Sequence, residues 1–406
     1  METSLPFALI MCFMFIRASS NILMKRLSKS NNNYPVSENE YARNIDFDSR
    51  TKIETIVVNY TKSNDIPGAS IAIAQDGKVT YANGFGWANL EKDEKTHYQN
   101  IFRVASVSKP ITLVGILHLI ENDKLELDEL VFSQKLLGRI LSPNITNTTG
   151  MMSKLSKVTV RHLLHHSGGF WWGLIQEHQH LSNTEYLNWA LQEYGSEQLE
   201  PGTKYTYSNF GFFLLGRVIE AASGMPYEEY IKSSVLGPMG VRGAIIAGNT
   251  LADRAPDEVV YYSWDTLNIA PYIFNMKRKA ASGGLALSTF ELLRFMNALH
   301  SFLKPASTAA MIASNPVNNQ TGLCWNVNDR RESNIEYWHG GDLPGTFAHT
   351  HHWESGGHVY TYAFAMNRDY YILRPEDYVD YVFKPLRAVI EKLHLSSDKG
   401  NGKLRP

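Results

Sequence analysis

The polarity pattern changes character three times over the first hundred residues. Residues 5–16 form an unbroken apolar run, residues 21–46 are mostly polar with an asparagine run at Asn31 to Asn33, and regular periodicity starts only after them. Residues 51–64 read as a helix. Residues 69–74 and 78–83 read as two strands of an antiparallel sheet, because the Asp76-Gly77 pair between them suits a tight hairpin turn. Further on, Leu113, Ile116, Leu117 and Ile120 recur at helical spacing. Val114 and Leu119 make that helix apolar most of the way round, which predicts burial. Residues 125–241 alternate helical and loop patterns with little period of two, so a helical subdomain is expected there. Strand signals return at 322–327, 346–352 and 358–365, and an amphipathic helix is expected over 375–393. Strands near both ends with helices between them predict one α/β (α+β) unit, its sheet closed by the two ends of the chain and the helical part inserted.

These boundaries divide the chain into a targeting segment at 1–20, a polar linker at 21–50, one domain at 51–395 with the helical subdomain at 125–241, and a flexible tail at 396–406. The apolar run followed by Arg17-Ala18-Ser19-Ser20 reads as a secretory signal, which favours secretion or the lumen of the secretory pathway. Residues 3–37 also lack Asp and Glu while carrying several basic residues and serines, so a mitochondrial transit peptide is the alternative. The run is too short for a comfortable membrane span, and no integral span is expected in the mature chain.

Composition narrows the partners. The 406 residues are 44% hydrophobic, enough for a substantial core, and the net charge of −1 provides no basic field for nucleic acid. A small or neutral ligand is the expected partner; oligomeric state is not legible. Only Cys12 and Cys324 occur, so removal of the N-terminus leaves Cys324 alone and excludes an internal disulfide.

The chemistry concentrates at Ser106-Val107-Ser108-Lys109, where residues three apart share a helix face and a serine hydroxyl can meet an amine base. Spacing alone says little, since Ser301/Lys304 and Ser396/Lys399 share it. Two further segments distinguish the first pair. Tyr207-Ser208-Asn209 precedes an apolar helix at 212–222, and His339-Gly340-Gly341-Asp342 forms a glycine-rich turn leading into a late strand. An exposed lysine is protonated at neutral pH, so Lys109 must be buried to act as a base. Tyr207 as phenolate is the alternative base, and the sequence does not choose between them.

In order and surroundings, Ser106-x-x-Lys109, Tyr207-x-Asn209 and His339-Gly340-Gly341 resemble the three motifs of the class C β-lactamase-like serine hydrolases, a family that includes DD-peptidases, esterases and animal β-lactamase-like proteins. Residues 158–169 and Ala281-Ser282-Gly283-Gly284-Leu285 match as well, and the resemblance spans about residues 51–390. It implies a mostly antiparallel sheet flanked by helices beside an all-helical subdomain, and an acyl-enzyme on Ser106 with no cofactor. It further implies that the amides of Ser106 and Asp342 hold the oxyanion and that Asn209 holds a substrate carbonyl or amide. The departure lies at His339, where β-lactamases and DD-peptidases usually carry lysine. A histidine is mostly neutral at pH 7, and Asp342 adds a negative group close by. The expected substrates are therefore esters, amides or peptides rather than β-lactam carboxylates. The rival expectation is a catalytically weak or inactive binding or scaffold protein that keeps the fold.

Other clusters carry less. His162, His165, His166, His178 and His180, and later His349, His351, His352 and His358, lack a carboxylate or cysteine at zinc-like spacing, so no metal site is expected. His349-Thr350-His351 reads as one polar strand face. Trp171-Trp172 and Tyr261-Tyr262 are read as core rather than cleft wall.

Overall fold

The computed structural model describes residues 34–170, 178–263, 271–328, 335–368 and 378–393. Helix α1 (Phe47–Ser63) starts on an Asp46 cap whose side chain accepts from the Ser49 amide at 2.9 Å. It leads into strands β1 (Gly68–Gln75) and β2 (Lys78–Asn89). The hairpin between them turns on Asp76 and Gly77, at φ 51° and 73°, the two positive values that a type I′ turn needs. The short strands β3 (Glu94–Lys95) and β4 (Phe102–Arg103) follow, then helix α2 (Ser108–Glu121), which is buried along nearly its whole length.

Helices dominate the described part of 125–241, among them α3 (Asn183–Tyr194) and α4 (Asn209–Ser223). Strands β5 (Ile245–Ile246) and β6 (Leu285–Leu287) and helix α5 (Thr289–Phe302) come next. The chain then runs through β7 (Asn326–Val327), β8 (Glu336–Leu343), β9 (Thr346–Ser355) and β10 (His358–Met366) to a C-terminal helical segment at Val379–Phe383 and Lys384–Ile390.

Seven strands form one antiparallel sheet in the order β3-β2-β1-β10-β9-β8-β7, so β1 and β10 from opposite ends of the chain pair at its centre. The fold is a mostly antiparallel sheet flanked by helices, as expected. The sheet works because its central strands are apolar on both faces, with different sizes. Ile71 and Ile73 of β1 and Tyr362 and Phe364 of β10 face α1 and the C-terminal helices. Ala72, Ala74, Ala363 and Ala365 face the other core, where Leu292, Phe295 and Met296 of α5 pack. Small side chains let α5 approach closely, and Ser70 Oγ meets Thr289 Oγ1 at 2.7 Å there. Fully burying one large side chain such as Phe364 contributes about 1.5–3 kcal/mol. β4, β6 and β5 make a second, three-stranded sheet.

Several expectations change. The linker predicted up to residue 50 is packed from Tyr34 onward. The Tyr34 hydroxyl donates to Ile66 O at 3.0 Å, Val36 bridges to Phe85, and Ala42 and Ile45 are buried, because scattered apolar residues in a polar stretch are enough to pin it to β2. The strand expected over 322–327 shrinks to β7, since Cys324 turns away at φ 71° and its amide bonds Leu164 O at 3.0 Å. The His339 segment is strand β8 itself, and the turn lies after it at Pro344 and Gly345. His349 and His351 do not form a polar face. Both are buried against Tyr378 and Phe383 of the C-terminal helices, because β9 is covered on both sides. His349 Nδ1 meets the Tyr362 hydroxyl at 2.6 Å and His351 Nε2 meets Glu336 at 2.8 Å. Tyr261 and Tyr262 are core, as read. The targeting segment, Cys12, Trp171-Trp172 and the tail lie outside the described residues, and among those described no helix is long and apolar enough to cross a membrane.

Candidate active site

Ser106 sits on a single 3-10 turn, Ala105–Val107, that runs directly into α2. Ala105 ahead of it is buried at φ +46°, a conformation that an L-residue adopts only when its surroundings enforce it. Those surroundings are identifiable. The Val104 amide donates to Leu285 O at 3.0 Å, and Ser108 Oγ accepts from the Leu285 amide at 3.1 Å. One turn further along α2, Thr112 Oγ1 donates to Ala281 O at 2.7 Å. The Ala281-to-Leu285 segment is thereby stitched to the helix that carries the serine and lysine.

Lys109 is fully buried, and its ammonium has three neighbours. They are Ser106 Oγ at 3.0 Å, Asn209 Oδ1 at 2.7 Å and Ser282 O at 2.6 Å. Burial is the main reason its pKa is pushed down to about 7; the Cys324 thiol opposes that shift and the Lys279 charge adds to it. Asn209 is placed at the start of α4, whose Ser208 cap accepts from the Gly211 amide at 3.0 Å.

Tyr207 immediately precedes that cap, and Lys109 Nζ lies 4.8 Å from its ring centroid. Tyr207 is 42% exposed overall, yet the packing around its hydroxyl raises the phenol above its ordinary pKa, against a hydrogen bond to Ser106 that lowers it. Beneath it lies His166, to which the sequence assigned no role. The His166 carbonyl accepts from the Thr206 amide at 2.7 Å and its Nδ1 from the Ser208 amide at 3.1 Å, so both neighbours of Tyr207 hang from one residue. Its ring packs on the Tyr207 ring at 4.4 Å between centroids, and its pKa lies well below the usual imidazole range because it is buried. Nδ1 acts as the acceptor, so Nε2 carries the hydrogen. His166 is another non-glycine residue at positive φ, 55°, a property that no sequence pattern reveals.

Strand β8 closes the site from the other side. A Cβ on Gly341 would stand 2.3 Å from Val104 O and 2.8 Å from the Ser106 nitrogen, so only glycine allows this approach; a Cβ on Gly340 would meet nothing closer than 3.7 Å. Asn328 N–H donates to Glu336 O and Asn326 Nδ2 to Trp338 O, both from the β7 side. Alternation along the strand then directs the Gly340 and Asp342 backbone groups to that same edge, beyond the last residue paired with β7. His339 is buried, its Nδ1 is 2.6 Å from Gly340 O, and burial pushes its pKa down to about 3, with the nearby Lys109 charge adding to the shift. It is a neutral imidazole. Asp342 is exposed at the end of the strand.

The structure thus brings all eight residues singled out by the sequence to one site, and adds His166, the Ser282 carbonyl and Cys324. The Cys324 thiol is buried, close enough to Lys109 and Tyr207 to bear on their charges, and held neutral by that burial.

Residues 53–373 match the sequence model of the family described as Beta-lactamase, and the chain belongs to that family of serine hydrolases. Among curated proteins it is similar to "Penicillin-binding protein 4*" of Bacillus subtilis (strain 168), 26% identical over 319 residues, which cover 73% of this chain and 67% of that one. Among solved structures it resembles the octameric penicillin-binding protein homologue from Pyrococcus abyssi at a TM-score of 0.68 and 24% identity, covering 84% of this chain and 78% of that one. It also resembles a class C β-lactamase at a TM-score of 0.66 and 18% identity, over 84% of this chain and 98% of the other. The family resemblance carried by the motifs is therefore borne out.

Proposed function

We propose that the protein hydrolyses esters, amides or peptides through an acyl-enzyme on Ser106, with Lys109 as the base. The observation that carries this reading is the set of contacts around Lys109 Nζ. Two neighbours, Asn209 Oδ1 and Ser282 O, are pure acceptors and take the two hydrogens of a neutral amine. The lone pair is left for the third, the Ser106 hydroxyl at 3.0 Å. With a pKa near 7, Lys109 is neutral in a large fraction of molecules at physiological pH. Tyr207, with its pKa raised, is a poor phenolate and a better hydrogen-bond donor.

Lys109 takes the Ser106 proton as Oγ bonds the substrate carbonyl carbon, and the carbonyl oxygen becomes an oxyanion held by the Ser106 and Asp342 amides. Loss of one such donor typically costs about 10²–10³-fold in rate. Collapse breaks the bond to the leaving group, which takes the proton back from Lys109 with Tyr207 placed to assist. Water then repeats the sequence on the acyl-enzyme and regenerates Ser106. Asn209 ties Lys109 to the substrate side of the cleft. With His339 neutral, position 339 supplies no cation for a carboxylate, which favours esters and simple amides over β-lactams.

A fluorophosphonate probe, followed by a comparison of p-nitrophenyl butyrate with nitrocefin, tests the reading. Labelling lost in Ser106→Ala and a higher kcat/KM for the ester are expected. Folded protein that takes no label would support the scaffold alternative, and faster β-lactam hydrolysis would overturn the substrate preference.

A further inference from the structure

Lys279 is a second buried lysine at this site, and the reaction as described does not use it. It ends the short helix Met276–Lys279, is 7% exposed, and lies with Nζ 5.0 Å from the centroid of the Phe274 ring. Among the described residues no carboxylate, carbonyl or hydroxyl holds that ammonium. Among them it meets the aromatic face of Phe274, and a quadrupole offsets part of an ammonium's desolvation without neutralising it.

Two connections locate it. The Lys279 carbonyl accepts from Ser282 Oγ at 3.1 Å, and the Ser282 carbonyl holds Lys109. On the other side, Phe274 packs in a small cluster with Leu343, the residue after Asp342. Lys279 therefore stands between the segment that holds the base and the end of the strand that presents the oxyanion amide. Burial pushes its pKa down to about 8, so it is still mostly charged at pH 7. Its charge reaches Lys109, whose pKa it lowers.

Among the described residues no anionic group meets this nearly buried charge, and an anion brought by a ligand would. We propose that Lys279 is a substrate-anion subsite, so that the preferred ester or amide carries a carboxylate within a few atoms of the reacting carbonyl. The proposal rests on the acyl-enzyme reading above and deepens it. His339 offers no cation, and Lys279 places one on a different vector, which admits an anionic group while still disfavouring a ligand built for a cation at position 339. The competing role, in which Lys279 only tunes Lys109, would affect every substrate alike.

The test compares kcat/KM for p-nitrophenyl butyrate, p-nitrophenyl hydrogen adipate and 4-carboxyphenyl butyrate, which carry no anion, an acyl-side anion and a leaving-side anion. The wild type is expected to prefer one of the anionic esters at least tenfold over the neutral one. In Lys279→Met that ratio should fall to near one, and in Lys279→Arg it should be largely kept. Using the ratio cancels any effect of Lys279 on the base. No preference in the wild type overturns the proposal without any variant, as does a preference that survives Lys279→Met. If neutral and anionic esters are all turned over but not by Ser106, the acyl-enzyme reading falls and the subsite with it. If the neutral ester is turned over by Ser106 without an anionic preference, only the subsite falls.

Discussion

Gly341 and Ser106 meet backbone to backbone: a single methyl on the glycine would come within 2.8 Å of the serine nitrogen. Gly341→Ala must therefore move either β8 or the nucleophile's turn, while Gly340→Ala, with 3.7 Å to its nearest neighbour, moves neither. Ester hydrolysis should fall by about 10²-fold or more in the first variant, on the scale of a lost oxyanion donor, and by only a few-fold in the second. Circular dichroism on both variants checks that the sheet is intact.

The pH dependence follows from Lys109. Below its pKa of about 7 the amine is protonated and has no lone pair for the Ser106 proton, so kcat/KM should rise with pH through a midpoint near 7 and level off above it. A profile flat from pH 5 to 8 would rule out this base. The folded pKa lies below the ordinary 10.5, so the folded protein binds fewer protons between about 7 and 10.5. The contribution of this group to stability accordingly rises with pH across that window and is smallest below it. Lys109→Met should lower kcat by about 10²–10⁴-fold at pH 8.

His166 separates into two functions that two variants can divide. Asparagine at 166 keeps an acceptor for the Ser208 amide and loses the ring on Tyr207; phenylalanine keeps the ring and loses the acceptor. If anchoring the Tyr207 loop matters most, His166→Asn should retain more kcat than His166→Phe, with KM little changed in both. Steady-state kinetics with p-nitrophenyl butyrate measures the split. A tenfold or greater loss in the phenylalanine variant corresponds to about 1.4 kcal/mol, within the range for one hydrogen bond and the acceptor left behind.

His339→Lys tests the substrate preference from the opposite direction. A charged hydrogen bond to a carboxylate contributes about 1.5–3 kcal/mol, so the ratio of nitrocefin to butyrate turnover should rise about tenfold or more. The new charge would stand near Lys109 and should also shift the acid limb of the pH profile downward. Measuring both quantities on one preparation distinguishes substrate recognition from a changed base.

The residues that converge at the candidate site were more legible in the sequence than the structure that supports them. Ser106, Lys109, Tyr207 and Asn209 were legible because their chemistry depends on residue type and on helix starts, which local patterns report. The role of His166 was not, because it depends on a positive φ and on two amides that approach only in the folded chain. The early packed segment was missed for a related reason: Tyr34, Ala42 and Ile45 are too widely spaced to show periodicity, yet each finds a place against the sheet. The buried histidines of β9 look polar in sequence and become core only because the C-terminal helices cover them.

The pairing of β1 with β10 has a consequence for how activity arises during synthesis. Gly68 donates to the Asn367 side chain across 299 residues of chain, and the sheet cannot close until that late strand exists. Ser106, Lys109 and Tyr207 leave the ribosome long before the strand that presents Asp342. A nascent chain thus carries the proposed nucleophile and base without the amide proposed to hold the oxyanion, and contacts this distant are made slowly. The candidate site is therefore complete only once the chain has been made as far as its last strand.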